Sequence, residues 1–252
     1  MTDLHTAHDH QGGQEPALDF EAMYQGCEAA FGADGDRRTD LIPWQLDAPQ
    51  PLVVELEAAG EITGPVLECG CGLGDNALFL AGRGHQVTAF DAAPSAIERS
   101  RAKAVAAGSP VTFMVADATE LHASGVPGGF RTVVDSAMLH CLDAEQRRAY
   151  LAGLRQVCAP GATLHVLCFS GELAAHLQMP AATDERSLRE ALRDDWTIRR
   201  MEARHYTTGL TRQEWQKLAP VASAGSEQDD LVAVDENDRV LLPFWQITAE
   251  LT

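Results

Sequence analysis

The feature that most constrains this chain is an alternation. Between residues 65 and 170, short β-rich apolar runs take turns with stretches of helical character. PVLECG (65–70), QVTAFD (86–91), VTFMVAD (111–117), FRTVVDS (130–136) and ATLHVLCFS (162–170) read as strands. DNALFLAGRG (75–84), PSAIERSRAKAVAAG (94–108) and DAEQRRAYLAGLRQVCAPG (143–161) read as helices. Pro94 suits a first helical turn, Gly108 a helix end and Asp143 an N-cap. Apolar runs of this kind, separated by helices, indicate a parallel sheet buried on both faces. With 252 residues, 45% of them apolar, the chain can bury such a core.

The flanks are less regular. Residues 1–17 read as a disordered tail. Its His5, His8 and His10 belong to no predicted element, so no metal site is expected there. Residues 18–31 suggest an amphipathic helix on Leu18, Met23, Cys27 and Phe31, followed by a loop over 33–51. Residues 51–60 suggest a helix between Pro51 and Gly60. Past the alternation come a short polar helix (184–195), a half-exposed strand (196–206), an irregular acidic stretch (207–239) and a last strand (240–251). The last two strands are expected to pair as an antiparallel hairpin at the sheet edge, where Pro243 is tolerated.

A net charge of −18 argues against nucleic-acid and membrane-surface partners. No apolar run approaches a membrane span, and residues 1–16 lack a signal-peptide pattern, so a cytoplasmic protein is expected. The six cysteines are expected to be free, and Cys69-x-Cys71 has no second pair at zinc spacing. Monomer and homodimer both stay open.

The segment Glu68-Cys-Gly-Cys-Gly-Leu-Gly-Asp-Asn76 joins the first sheet strand to the first sheet helix. Gly70, Gly72 and Gly74 permit a sharp turn and close approach of a ligand to the backbone, Cys71 included. The following helix offers free N–H groups. A dinucleotide fingerprint would place its third glycine where Asp75 stands, and a carboxylate beside a pyrophosphate is electrostatically wrong. Glu68 also precedes the loop. The pattern therefore favours a cationic ligand without phosphates, and S-adenosylmethionine fits. Asp91, at the end of the second strand, can accept from both ribose hydroxyls. Asp117 can accept from the adenine amino group while the Ala118 N–H meets a ring nitrogen. Simple capping is the competing explanation for both acids.

The stretch ECGCGLGDNALFLAGRGHQVTAFDAAPSAIERSRAKA resembles the class I S-adenosylmethionine-dependent methyltransferases. PWQLDAPQP (43–51), VVDSAMLHCL (133–142) and LCFS (167–170) are similar to the thiopurine-methyltransferase-like and heterocyclic-toxin-methyltransferase-like small-molecule enzymes of actinobacteria. The likeness covers residues 40–206 well and the rest loosely. It departs at Gln45, where relatives often carry an acid, and in the length of 207–239. The resemblance implies an α/β, Rossmann-like, seven-stranded, mostly parallel sheet ordered 3-2-1-4-5-7-6, its last strand antiparallel, with helices on both faces. It implies that Trp44 folds over the cofactor, and it adds Asn76, Ala92, Asp135 and Ser136 to the cofactor set. On this basis residues 18–64 form a lid segment and 65–252 the methyltransferase domain.

A sulfonium donor is already activated, so the protein mainly aligns the partners and excludes water. A base is needed only where the acceptor must lose a proton. His140 and Asp135, after the fourth sheet strand, are the candidates, His140 first. Met138, Phe169 and Tyr206, with Trp44, are expected to wall a pocket for a flat aromatic or heterocyclic acceptor; His205 could also border it. O-, S- and N-methylation remain open. A non-catalytic S-adenosylmethionine-binding partner or sensor and an NAD-dependent oxidoreductase are the alternatives.

Overall fold

The computed structural model describes residues 19–31, 37–170, 184–218 and 232–252. The N-terminal tail and its three histidines lie outside them. A five-residue helix α1 (Phe20–Tyr24), capped by Asp19, opens the described chain. The expected helix over 18–31 stops early because Gly26 turns left-handed at φ 82°. Beyond it β1 (Ala29–Phe31) and β2 (Arg37–Thr39) pair antiparallel, where a helix end and a loop were expected.

The alternating region folds as its pattern indicates: α2 (Pro51–Ala58), β3 (Val66–Cys69), α3 (Asp75–Gly82), β4 (Val87–Asp91), α4 (Pro94–Ala107), β5 (Thr112–Val115), β6 (Phe130–Ser136), α5 (Ala144–Val157) and β7 (Cys158–Phe169). Gly108 ends α4 in the left-handed conformation, and Asp143 closes a capping box with Gln146 on α5. One boundary moves: CAPG (158–161) opens β7 instead of finishing α5. The C-terminal part holds α6 (Glu185–Leu192), β8 (Trp196–Thr211), α7 (Arg212–Leu218), β9 (Ala233–Val234) and β10 (Arg239–Leu251). Within the stretch expected to be irregular, residues 207–211 extend β8 and 212–218 form α7.

The main sheet runs β5-β4-β3-β6-β7-β10-β8. Counted along the sheet strands this is the expected 3-2-1-4-5-7-6. β9 adds an eighth strand on β10. The strands from β5 to β7 are parallel, and β10 is antiparallel to both β7 and β8. Thus β10 is an inner strand, and Pro243 sits inside the sheet instead of at an edge. Its carbonyl accepts from Ser170, one residue past the end of β7, so its missing N–H faces the place where β7 stops.

Two cores flank the sheet. Leu67, Cys69 and Val133 meet Tyr150, Leu151 and Leu154 of α5 and Leu188 of α6. Val66, Ala89 and Val134 meet α2, α3 and α4 through Leu56, Leu80 and Ile97. Period-2 alternation sends Glu68 to the second face, towards α3.

Candidate functional site

The chain leaves β3 through a turn in which Gly70, Gly72 and Gly74 take φ 64°, 51° and 76°. A Cβ on Gly70 would stand 2.7 Å from the Met138 side chain, and one on Gly72 2.7 Å from the Tyr24 hydroxyl. Bare backbone is therefore required there, beyond the turn itself. Asp91, last residue of β4, braces the turn: Oδ2 accepts from Gly72 N–H at 2.8 Å and Oδ1 from Ala93 N–H at 2.9 Å. Burial raises its carboxyl above the usual range. Ala92 is exposed beside it.

Glu68 is 1% exposed. Asn76 Nδ2 donates to its Oε1 at 3.0 Å and the Ala77 N–H lies towards the same carboxyl, while Oε2 makes no well-formed hydrogen bond among the described residues. Burial pushes its carboxyl up to about 8. Glu68, Gly70, Cys71, Gly72, Asn76, Ser136, Tyr206, Trp44 and Gln50 surround a cavity of about 50 Å³. A buried carboxylate oxygen without a well-formed hydrogen bond, beside a turn of bare backbone, fits the ammonium of an amino-acid-bearing cofactor. Asp75, at the disputed third-glycine position, pairs with Lys103 and accepts from Gln45 Nε2, both at 2.8 Å.

Residues 41–50 cross above this turn. Trp44 lines the cavity and donates from Nε1 to the Tyr24 hydroxyl at 2.9 Å. Gln50, 3% exposed, exchanges both halves of its side-chain amide with the backbone of Thr207 in β8, and its N–H donates to Asn76 Oδ1 at 2.7 Å. Gly209 N–H donates to Pro43 O at 2.7 Å, and a Cβ on Gly209 would run into the Gln45 carbonyl. Tyr24, Gln50 and Gly209 are participants the sequence did not single out. Tyr24 belonged to a segment expected to be plain helix, and the other two act through tertiary contacts that leave no local pattern.

The turn after β6 places both candidate bases below the surface. Asp135 is fully buried and accepts from Met138 N–H, Leu139 N–H and the Tyr150 hydroxyl at 3.0–3.1 Å. Burial lifts its carboxyl to about 6. It braces the turn and does not line the cavity. His140 is 6% exposed and packs against Phe169 and Phe244 at ring separations of 4.4 and 5.8 Å. Its Nδ1 faces the Phe169 N–H at 3.4 Å, which assigns the proton of the neutral ring to Nε2. Burial drives its pKa down to about 3. His140 is thus a neutral member of an aromatic cluster, poorly suited to be a base. Between these two residues Ala137 holds φ 77°, which is unusual for a side-chain-bearing residue.

The expected pocket walls divide. Tyr206 and Trp44 line the cavity. Phe169 stands behind Tyr206, through Phe244, at ring separations of 4.6 and 4.2 Å. Met138 backs the glycine turn. His205 is exposed, on the opposite face of β8 from Tyr206. Asp117, beyond β5, caps a short 3-10 turn by accepting from Thr119 N–H and Oγ1, both at 2.7 Å, with Ala118 buried behind it. Among the described residues no cluster of metal ligands occurs.

This order of strands, with a glycine turn flanked by carboxylates at the strand ends, defines a nucleoside-binding α/β domain. Residues 66–161 match the methyltransferase domain family. The chain is 36% identical over 193 residues to the 2-heptyl-1-hydroxyquinolin-4(1H)-one methyltransferase of Mycobacteroides abscessus, covering 75% of this chain and 82% of that protein. A solved structure from work on the conversion of a disulfide bond into a thioacetal group during echinomycin biosynthesis is 31% identical, with a TM-score of 0.69, over 92% of this chain and 91% of that one. The magnesium protoporphyrin IX methyltransferase of Synechocystis PCC 6803, solved with S-adenosylmethionine bound, shares the fold at 20% identity and a TM-score of 0.51, over 79% of this chain and 76% of that one. The chain belongs to the class I S-adenosylmethionine-dependent methyltransferases. Its cofactor is S-adenosylmethionine, and nothing favours the dinucleotide or sensor alternatives.

Proposed function

We propose that the enzyme methylates a hydroxyl oxygen of a small, flat nitrogen heterocycle. The stacked wall made by Tyr206 of β8 and Phe244 of β10 carries this reading. Tyr206 faces the cavity and lies on Phe244 at 4.2 Å with the rings 14° apart, a surface that suits a planar guest. The hydroxyquinolone named for the Mycobacteroides relative is such a molecule. The bound cofactor supplies a methyl group on a sulfonium, already activated for in-line displacement.

The chain's own residues bind, orient and exclude water. Glu68, oriented by Asn76, would receive the cofactor's ammonium, with the turn from Gly70 through Cys71 and Gly72 to Gly74 along its amino-acid end. Asp91 and Ala92 would hold the ribose, Asp117 and Ala118 the adenine, and Trp44 and Ser136 would complete the enclosure. Met138 and Phe169 support this enclosure from behind. Residues 18–64 act as a lid on the domain formed by 65–252. The net charge of −18 supports a small-molecule role over a nucleic-acid or membrane-surface one.

Purified enzyme incubated with S-adenosylmethionine and panels of hydroxylated, thiolated and unsubstituted N-heterocycles provides the test. Mass spectrometry should find one added methyl group on the hydroxylated panel. Methylation confined to thiols or ring nitrogens would refute the oxygen assignment.

A further inference from the structure

Tyr206 and Ser136 meet at the cavity from two strands that are not neighbours in the sheet. Tyr206 comes from the edge strand β8, and Ser136 ends the inner strand β6, just before the strained Ala137. Their hydroxyl oxygens are 3.3 Å apart, and both residues line the cavity beside Glu68. Each hydroxyl carries one hydrogen. One hydrogen joins the pair, which leaves the other for a guest. Gln50 gives one amide hydrogen to Thr207 O, and its second serves the Tyr206 oxygen, so Gln50 donates to the phenol and leaves the phenol's own hydrogen free. The stack on Phe244 fixes the phenol, and the Asp135 bonds fix the turn that carries Ser136. Burial, with the acidic groups of Glu68 and Asp135 facing it, keeps the phenol protonated and therefore a donor.

A preset donor at this place can meet the cofactor's carboxylate or an oxygen of the acceptor, and among the acceptor's oxygens the choice is chemical. Given to the oxygen that attacks the methyl carbon, the hydrogen bond would withdraw the electron density that displacement requires. Given to a neighbouring oxygen of the same ring, it orients the acceptor without that cost. We propose that the Tyr206–Ser136 pair is the specificity-determining element of the acceptor site, and that it selects heterocycles carrying a ring carbonyl beside the hydroxyl to be methylated. This rests on the oxygen-methylation reading above and adds to it which hydroxylated rings are chosen.

The test is a cycle over substrate and enzyme. 3-Hydroxyquinolin-4-one and quinolin-3-ol differ by the ring carbonyl. Wild type should favour the carbonyl compound by about tenfold in kcat/KM, the scale of one oriented hydrogen bond. Tyr206→Phe keeps the stack on Phe244 and removes only the hydroxyl. It should bring the two substrates to within about twofold, mainly through KM of the carbonyl compound; a loss carried instead by S-adenosylmethionine affinity, read by calorimetry, would assign the hydroxyl to the cofactor and overturn the proposal. Ser136→Ala should shrink the preference in the same direction. Equal losses on both substrates in Tyr206→Phe would assign a merely structural role and overturn the proposal. A wild type that methylates both rings equally would overturn it too. A wild type that binds cofactor yet methylates neither hydroxyl would instead overturn the oxygen-methylation reading beneath it.

Discussion

Glu68 concentrates the electrostatics of the site in one carboxyl group. Its pKa is about 8 in the folded chain against 4.5 for an ordinary glutamic acid. Between those values the folded state holds a proton that the unfolded chain has lost. The ligand-free protein should therefore lose stability as pH rises from about 5 to about 8. Asp135, raised to about 6, contributes with the same sign in the lower half of that window. Glu68→Gln should flatten the upper half in urea titrations followed by circular dichroism. An unchanged slope there would assign the dependence elsewhere. His140 behaves oppositely. With its pKa near 3 it stays neutral from pH 5 upward, so no limb of the kcat/KM profile should belong to it. His140→Ala should instead cost about 2–3 kcal/mol of stability through the lost ring packing. Loss of an acid limb in that variant would restore it as a base. Sequence spacing placed both His140 and Asp135 at the right strand end. It could not place them below the surface, because burial there depends on Phe169 and Phe244, remote in sequence, and on how the following helix turns Tyr150 inward.

The lid shows what elements add to single residues. Residues 41–50 are held by backbone groups of β8, through Gly209 with Pro43 and Thr207 with Gln50. Gly209→Ala would force a methyl group into the Gln45 carbonyl and lift Trp44 from the cavity. Cofactor affinity by calorimetry should fall at least about tenfold, while the melting midpoint moves little, because surface loops are only weakly coupled to the core. An unchanged affinity would show that the lid is not needed to hold the cofactor. Ala137→Gly should stabilise the protein by about 1 kcal/mol, since glycine takes a positive φ without the cost alanine bears. A loss of stability would show that the alanine methyl earns its place by packing. Element boundaries were legible where proline, glycine or a capping acid marked them, as at Pro94, Gly108 and Asp143. They were hidden where tertiary pairing decided, as in β1 with β2 and in the extension of β8 through Thr211.

At the scale of the whole molecule, the sheet order could be expected because each inner strand announces itself as an apolar run. Crossovers between parallel strands are right-handed, which leaves few arrangements. The insertion of β10 between β7 and β8 had no local signal of its own, and Pro243 pointed to an edge. It came from likeness to a family, and the pairing of Trp245 with both Cys168 and Ala203 bears it out. The glycine turn, Glu68 and Asp91 were legible together because one loop joins them to strand ends. The lid was legible only as Trp44. The central claim is that this turn and its buried carboxylate hold a cationic nucleoside. Calorimetric titration with S-adenosylmethionine in buffers of different ionisation enthalpy tests it most directly. A single site, tightening as pH rises towards about 8 and releasing a proton that Glu68→Gln does not release, is the predicted result. No heat with S-adenosylmethionine, together with a clean isotherm for a nicotinamide dinucleotide, would contradict it.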